Sequence, residues 1–292
     1  MPELPEVETI CRDLQNLSGQ VIGRLNIKLE KITAPKGRAL SKIIRGAKIL
    51  SVERRAKILV FRLSLINSFH GQKNAVLLIH LKMTGQLVLR HQHALVFGGH
   101  PIVGITKVPN KYTHAEFHMR SGDILYFNDL RRFGYIKLIA PDAAAALFSK
   151  LGVEPLTPAF TFEKFKAVLS RHRSATIKAI LLDQSGIAGL GNIYVDEACF
   201  LAKTRPNRRV SALTAKQKQR LWRAIPKVLR KSIRHRGTSF NTYVSADGKT
   251  GQFWEYRQVY GRKGEFCYSC NFPIKRIVVA GRGTHYCPKC QK

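Results

Sequence analysis

The chain begins with MPELPEVETI (residues 1–10), the stretch that sets its N-terminal structure. Apolar side chains recur there at helical spacing and predict an amphipathic helix. The apolar positions are Leu4, Val7, Ile10, Leu14 and Leu17. Pro5 suits a first helical turn, and acidic residues favour the positive end of a helix dipole. Glu3 and Glu6 are three residues apart, so they share one helix face.

Pro2 is a candidate nucleophile at the start of this helix. Removal of Met1 would leave a secondary amine, of which about a tenth is free base at neutral pH because an α-amino group titrates near pH ~8. Attack of an amine on a carbonyl-level carbon gives a Schiff base, and a secondary amine gives a charged iminium, which is a good electron sink. Taken alone, the same residues also fit an ordinary loose terminus.

The charge of the chain indicates a polyanionic partner. Its 292 residues carry 50 Lys and Arg against 18 Asp and Glu, a formal net charge of +32. Such a surplus is typical of nucleic-acid binding. No stretch approaches the ~20 apolar residues that span a bilayer, and the N-terminus lacks a signal-peptide pattern. We therefore expect a soluble cytoplasmic protein that binds nucleic acid and no membrane.

Four of the six cysteines have the spacing of metal ligands. They form two Cys-x-x-Cys pairs with sixteen residues between them, at Cys267, Cys270, Cys287 and Cys290. A shell of four cysteines leaves no open position on the metal, so the spacing predicts one structural zinc ion. Cys11 and Cys199 lie in predicted amphipathic helices and are most simply buried thiols.

Residues 20–140 consist mostly of short β-rich runs separated by turn signals, which favours a β-sandwich. The predicted strands are 47–52, 58–63, 76–81, 86–90, 115–119, 124–127 and 135–139. The weakly patterned stretch 91–111 is interpreted as a long loop.

Helical patterning replaces strand patterning after residue 141, with residues 152–158 as the predicted linker and helices over 161–236. Thr214 is expected to cap a helix that Pro226 kinks and Gly237 stops. Between two helices, the glycine-rich stretch 184–192 suits either a plain turn or a contact to DNA phosphate, with Asn192 capping the helix that follows. The polar segment 238–252 is either a connector or a mobile lid.

Several motifs occur in an order that identifies a family. They are residues 2–9, 54–57, 129–134, 189–194, 260–265 and the four-cysteine finger. With them the chain closely resembles the bacterial formamidopyrimidine-DNA glycosylases from its N-terminus to Lys292. The resemblance implies an α+β fold: an N-terminal β-sandwich with a catalytic helix (1–150), a helix–two-turn–helix domain (151–240) and a zinc finger (253–292).

The resemblance also implies a reaction, the excision of oxidised purines from duplex DNA followed by strand cleavage. A base inside a duplex is unreachable, so its nucleotide must be flipped out. Pro2 then attacks C1′ of the sugar, and Glu3 donates a proton to the sugar ring. Lys57 matches a lysine linked to β-elimination, and Arg282 a finger arginine linked to δ-elimination. Glu6 is carried over as a nearby carboxylate that is either catalytic or structural.

Further residues match positions that contact DNA in the family. They are the void-filling trio Met83, Arg131 and Phe133, the phosphate contacts Arg173 and Asn192, and Tyr112 with His114, where many members have one contacting histidine. On sequence alone, Met83 and Phe133 are more often core residues. The chain departs from the family pattern at Lys82, Leu130 and Phe266. We expect a monomer that binds damaged double-stranded DNA.

Two other functions fit parts of this pattern. An endonuclease VIII type enzyme would prefer oxidised pyrimidines, but its members typically begin Pro-Glu-Gly-Pro-Glu, where this chain has Leu4. A non-enzymatic zinc protein that binds nucleic acid would not need the intact set of Pro2, Glu3 and Lys57. A retained Met1 would favour that second alternative, because the amine would be lost.

Overall fold

The computed structural model describes residues 1–92, 94–99, 107–238 and 253–292. The chain forms two compact units. The first unit comprises Met1–Ser149 and Arg236–Gln252, and the second comprises Lys150–His235 and Phe253–Lys292. No helix among the described residues is both long and apolar enough to cross a membrane.

Two five-stranded sheets make up the first unit. The strands are β1 (Ile22–Ile27), β2 (Thr33–Ala34), β3 (Lys48–Arg55), β4 (Ile58–Phe69), β5 (Gln72–His80), β6 (Gly85–His91), β7 (Ala94–Gly99), β8 (Thr113–Met119), β9 (Ile124–Asp129) and β10 (Tyr135–Ile139). One sheet has the order β1-β8-β9-β6-β7, and the other β2-β10-β5-β4-β3. All neighbours are antiparallel except β2 and β10.

Helices of the first unit are α1 (Leu4–Asp13), α2 (Gly37–Ile44) and α3 (Pro141–Ser149). Apolar side chains from both sheets and from α1 share one core, with Val7, Phe61, Leu87 and Phe127 among them. This core between two sheets confirms the predicted β-sandwich, and all seven predicted strands are present. The mixed α+β fold class is confirmed as well.

The prediction of one long loop over 91–111 is wrong in its first part. Strand β7 begins at Ala94 and pairs antiparallel with β6, Val96 lying opposite Leu89. Its pattern was weak because it ends in two glycines. A Cβ on Gly98 would lie 2.6 Å from Cγ1 of Ile10, so glycine lets the strand pack directly against α1. Residues 100–106 lie outside the described residues.

The second unit is mainly helical. Its elements are α4 (Phe162–Ser170), α5 (Ile177–Leu182), α6 (Asn192–Leu201), α7 (Ala215–Arg234), α8 (Phe253–Tyr256), and a hairpin of β11 (Lys275–Val279) and β12 (Arg282–Tyr286). The Oγ1 of Thr214 accepts the backbone N–H of Gln217, which confirms the predicted cap of α7. This helix runs through Pro226 as one element. Helix α6 packs on it, and the hydroxyls of Tyr194 and Ser232 are 2.6 Å apart.

Candidate functional site

The predicted nucleophile lies at a well-packed helix start. Pro2 is buried, two residues before α1 begins. Glu3 occupies the N-cap position, is 2 % exposed, and donates its backbone N–H to Oε2 of Glu6 at 2.8 Å. Met1 is half exposed, so the bond whose cleavage would free the Pro2 amine is at the surface of the first unit. The packing would hold that amine beside the Glu3 carboxyl group.

Glu6 binds the chain that follows α7 within the first unit. Its Oε1 accepts the backbone N–H of Thr238 at 2.8 Å and the Thr238 hydroxyl at 3.0 Å. Gly237 has φ +83°, and a Cβ there would lie 2.8 Å from the same Oε1. Glycine is therefore required both by the backbone conformation and by the close approach. Because both carboxylate oxygens of Glu6 accept hydrogen bonds, its environment favours a positioning role.

Lys57 lies on the tight turn between β3 and β4, where Ala56 has φ 53°. It is 8 % exposed, so its side chain is packed against neighbouring residues and is not an ordinary surface charge. The strand before it is tied to α1, since Glu8 accepts Nε of Arg54 at 2.9 Å and Nε of Arg12 at 2.8 Å. Burial alone would raise the pKa of Glu8, but the hydrogen bonds and charges of both arginines outweigh it and the pKa is lowered.

His80 belongs to the surroundings of Lys57, and sequence reasoning missed it. It ends β5 and pairs with Ile58, the residue after Lys57. Its Nδ1 accepts the backbone N–H of Lys82 at 2.8 Å. Burial lowers the pKa of His80 to about 3, with the charges of Lys82 and Lys57 acting in the same direction. The imidazole is therefore neutral at pH 7.

This neutral histidine predicts an acid-sensitive stability. Its folded pKa of about 3 lies below the unfolded value near 6.5, so the unfolded chain binds the proton first and stability is lost as the pH falls below ~6.5. At pH 5 the loss from His80 is about 2 kcal/mol relative to pH 7.5. Urea unfolding at both pH values should show a smaller acid loss for His80→Asn than for wild type. The exposed His172 provides the control, and an equal effect of His172→Asn would contradict the assignment.

Three predicted void-filling residues lie together on the surface of the first unit. Met83 is 41 % and Phe133 53 % exposed. Nη1 of Arg131 lies 3.0 Å from Sδ of Met83, and its guanidinium carbon lies 4.8 Å from the centre of the Phe133 ring. Neither apolar side chain is a core residue, in agreement with the resemblance and against the sequence pattern alone. Their contact with DNA stays a prediction.

The loops that carry this trio are joined by Asp129, a buried residue that sequence reasoning missed. Its Oδ1 accepts the hydroxyl of Thr84 at 2.5 Å and the backbone N–H of Arg131 at 3.1 Å, and its Oδ2 accepts the N–H of Gly134 at 2.7 Å. Three donors on one carboxylate fix the loop after β9 against the loop before β6.

Tyr112 and His114 have different environments. Tyr112 is partly buried, and its backbone pairs with Asn110 and Asp129. His114 is 5 % exposed, with Nε2 2.8 Å from the carbonyl oxygen of Asp129. It also lines an open cavity of ≈ 540 Å³ together with Lys28, Lys111 and Arg132. Because it is buried, His114 is better suited to supporting the wall of that basic cavity than to reaching out to a ligand. Contact of Tyr112 and His114 with DNA stays a prediction.

In the second unit, Asn192 joins α6 to the finger hairpin. Its predicted capping role is wrong, because Gly191 is the N-cap and Asn192 is the first helical residue. Its Nδ2 instead donates to the carbonyl oxygen of Gly283 at 2.9 Å and lies 3.5 Å from the hydroxyl of Tyr260. Asn192 therefore fixes the hairpin at the residue next to Arg282. Arg173 is exposed in the turn after α4.

A buried ion pair also bonds to the backbone of this hairpin. Nζ of Lys178 lies 2.6 Å from Oδ1 of Asp196, both side chains are fully buried, and Nζ also donates to the carbonyl oxygen of Gly283 at 3.2 Å. Oδ2 of Asp196 accepts the backbone N–H of His285 at 2.8 Å. The exposed Arg282 therefore lies on a hairpin that is anchored at the next residue, Gly283, and at His285.

Breaking this pair should destabilise the second unit. Lys178→Met leaves the Asp196 charge buried without its cation, which costs about 3–5 kcal/mol. Urea unfolding followed by circular dichroism would measure the loss. Lys164→Met, at an exposed lysine of α4, should change stability by no more than ~0.5 kcal/mol. Equal stabilities of the two variants would contradict the anchoring role.

The four predicted metal ligands form one cluster. All four Sγ atoms lie within 4.8 Å of one another, with 3.4 Å between Cys270 and Cys287 and 3.9 Å between Cys267 and Cys290. Tetrahedral zinc with Zn–S bonds of about 2.3 Å separates its sulfurs by about 3.8 Å. The donor set therefore fits a closed four-coordinate site for a thiolate-binding metal. Cys11 and Cys199 are buried elsewhere.

A β-sandwich led by a buried N-terminal helix, a helical module and a four-cysteine finger define a DNA glycosylase of base excision repair. Three family models match in this order: the formamidopyrimidine-DNA glycosylase N-terminal domain over residues 1–136, the H2TH domain of the same glycosylase over 151–244, and the zinc finger found in FPG and IleRS over 264–292.

Relatives match over the whole chain. The formamidopyrimidine-DNA glycosylase of Pelotomaculum thermopropionicum is 41% identical over 100% of this chain and 99% of its own, and that of Herpetosiphon aurantiacus is 39% identical over 100% of both. The solved complex of the Lactococcus lactis enzyme with abasic-site DNA has a TM-score of 0.85 at 34% identity, covering 99% of each chain. The chain belongs to the formamidopyrimidine-DNA glycosylase family.

Proposed function

We propose that this enzyme is a bifunctional glycosylase and AP lyase that excises 8-oxoguanine and formamidopyrimidines and cleaves the strand by β,δ-elimination. The observation that carries the proposal is the buried Pro2 beside the N-cap Glu3, in a chain of this family. A related Lactococcus lactis variant was solved with Fapy-dG DNA, a lesion of the proposed class.

The reaction begins once Met1 is removed and the damaged nucleotide is flipped out. The Pro2 nitrogen attacks C1′, the bond from C1′ to the base breaks, and the base leaves with the electron pair of that bond and with the proton that the Pro2 nitrogen loses. Glu3 protonates the ring oxygen as the sugar opens, which leaves a positively charged iminium on Pro2. Glu6 holds the N-terminal turn and the chain at Thr238 in place.

Strand cleavage follows from the electron-withdrawing iminium. Glu3, now a carboxylate, takes a proton from C2′, and the electrons of that C–H bond expel the 3′ phosphate. Lys57, packed in the β3–β4 turn, is suited to bind that phosphate. Arg282 serves the second elimination, which expels the 5′ phosphate. Asn192 and Lys178 hold the hairpin at Gly283 and so position Arg282.

DNA binding uses residues of both units in this proposal. Met83, Arg131 and Phe133 fill the gap left by the flipped nucleotide, since planar and apolar side chains replace lost stacking. Arg173 and Asn192 contact phosphates, and Tyr112 and His114 support the opposite strand. A single zinc ion on the four cysteines maintains the finger. We propose a cytoplasmic monomer as the active form.

Borohydride trapping tests the nucleophile directly. The enzyme is mixed with duplex DNA containing 8-oxoguanine opposite cytosine, the imine is reduced, and the cross-linked peptide is mapped by mass spectrometry. The expected product is a cross-link on a peptide that starts at Pro2. The same duplex with guanine in place of 8-oxoguanine is the control. A cross-link on a lysine, or binding with no cross-link, would overturn the proposal.

A further inference from the structure

The outward face of α7 carries a continuous stripe of exposed cations. Its members are Lys216, Arg220, Arg223, Lys227, Arg230 and Arg234. They are separated alternately by four and three residues, so with 3.6 residues per turn they lie within a sector about 80° wide along about 27 Å of helix. We refer to these six residues as the α7 stripe.

The α7 stripe has no countercharge on its own helix. Helix α7 contains no aspartate or glutamate. Within the part of the chain that the structure describes, none of the six side chains forms an ion pair with a carboxylate. Like charges four residues apart weaken a helix. The stripe therefore opposes the stability of the helix that carries it, which favours a role in binding an anion.

The fold does not need these charges, because the other side of α7 holds the helix in place. Leu221, Ile225 and Leu229 are fully buried, and Ser232 bonds to Tyr194 of α6. The α7 stripe thus faces away from α6, the helix whose Asn192 contacts the finger hairpin. Within the second unit, the stripe is separate from the Asn192, Gly283 and Arg282 group.

We propose that the α7 stripe is a second DNA site, which binds the phosphate backbone of a duplex segment other than the one that carries the lesion. A length of about 27 Å corresponds to about eight base-pair steps along a duplex axis at 3.4 Å per step, so the stripe can meet phosphates on either side of a groove. Four of the six cations are arginines, whose planar guanidinium groups suit phosphate. Binding of this kind is independent of base sequence.

Duplex DNA fits this surface better than a membrane does. A helix that lies in a membrane surface inserts an apolar face, whereas the apolar side chains of α7 are packed into the second unit. An enzyme with a second backbone site can hold undamaged DNA while its active site samples another segment. The inference goes beyond the proposed excision reaction, because it does not depend on which lesion is removed.

A two-duplex experiment tests the site. The enzyme is first saturated with a short labelled duplex that contains a tetrahydrofuran abasic analogue. A lesion-free duplex with a second dye is then added, and the complex with both dyes is measured by fluorescence cross-correlation. The stripe variant is Arg223→Gln/Lys227→Gln/Arg230→Gln. The matched control, Lys150→Gln/Lys164→Gln/Lys203→Gln, removes three exposed charges of the same unit outside the stripe.

Wild type and control should bind both duplexes. The stripe variant should lose at least tenfold in affinity for the second duplex, while its affinity for the first duplex should be unchanged. The slope of log affinity against log salt for the second duplex should become shallower by about 2–3, because each lost phosphate contact removes about 0.9. Excision of 8-oxoguanine from a third, separately labelled duplex, measured with the same protein preparations, reports on the active site independently. The proposal is overturned if only one duplex ever binds, if both variants lose affinity equally, or if the stripe binds vesicles with anionic lipid and not duplex DNA.

Discussion

Pro2→Gly is expected to reduce excision of 8-oxoguanine by about 10³-fold or more while duplex binding stays within a few-fold of wild type. Glycine still permits removal of Met1 and still provides a terminal amine. What the variant lacks is the ring, which makes the amine secondary and restricts its position at the buried start of α1. Single-turnover excision on a gel, and anisotropy with a tetrahydrofuran duplex, would measure the two effects separately.

A second proline in the same helix provides the control for Pro2. Pro5 lies in the first turn of α1 and is also buried, so Pro5→Gly reports on damage to the helix without loss of the nucleophile. We expect Pro5→Gly to lower stability and to retain most excision per folded molecule. Excision by Pro2→Gly at the wild-type rate would contradict the requirement for the secondary amine of Pro2.

Glu3→Gln separates proton donation from nucleophilic attack. The bond from the Glu3 backbone to Glu6 does not use the Glu3 side chain, and a glutamine oxygen can accept the backbone N–H of Glu6 as the Glu3 carboxylate does in the capping box. The substitution therefore preserves the helix start. General acid catalysis typically contributes about 10²–10⁴-fold, and a loss of that size is expected in excision. Duplex binding should persist. Equal excision by the glutamine variant and wild type would move the proton donor to another residue.

Local patterns made much of this fold predictable from sequence. The cap of α7 needs only Thr214 and Gln217, three residues apart, and seven of the ten described sandwich strands show their own β-rich run. The cysteine spacing likewise predicts one cluster, because a Cys-x-x-Cys pair is already a local half-site. Such signals depend on neighbouring residues alone, so no knowledge of the tertiary structure was required.

Contacts between distant segments could not be predicted in this way. Glu6 and Thr238 are 232 residues apart, and Lys178 is 105 residues from Gly283. Nothing in the sequence around a lysine in a short helix indicates that it is fully buried with an aspartate. His80 was missed for the same reason, since its low pKa arises mainly from burial, and Lys57, which adds to the effect together with the neighbouring Lys82, comes close only in the folded sheet.

Strand β7 shows a third limit. Its glycines look like loop residues until α1 is placed against them, because the steric requirement for Gly98 comes from Ile10. Asn192 shows the opposite case, in which a local pattern predicts a role that the tertiary structure does not confirm. Asparagine before a helical run predicts an N-cap, but the helix begins at Asn192 itself and the amide binds the hairpin.

Loss of the finger metal is expected to have the second large effect, the unfolding of the finger with at least a tenfold loss of DNA affinity. The described finger buries only a small apolar cluster of Val259, Ile274, Cys267 and Cys287, two of which are metal ligands. A core of that size cannot offset the loss of chain entropy. Zinc binding contributes about 10–16 kcal/mol in isolated finger peptides, and the unfolded chain does not retain it.

Cys270→Ser tests this directly, with Cys199→Ala as the matched control at a buried cysteine outside the cluster. We expect the zinc content to fall from one ion per chain in Cys270→Ser and to stay unchanged in Cys199→Ala. Rapid proteolysis of Cys270→Ser should be confined to residues after 258. Strand cleavage should be reduced, because the hairpin that carries Arg282 is no longer folded. The first unit carries its own sandwich core, so thermal unfolding of that unit should be unchanged. A finger that resists protease without zinc would mean that the anchors at Lys178, Asp196 and Asn192 hold the hairpin unaided.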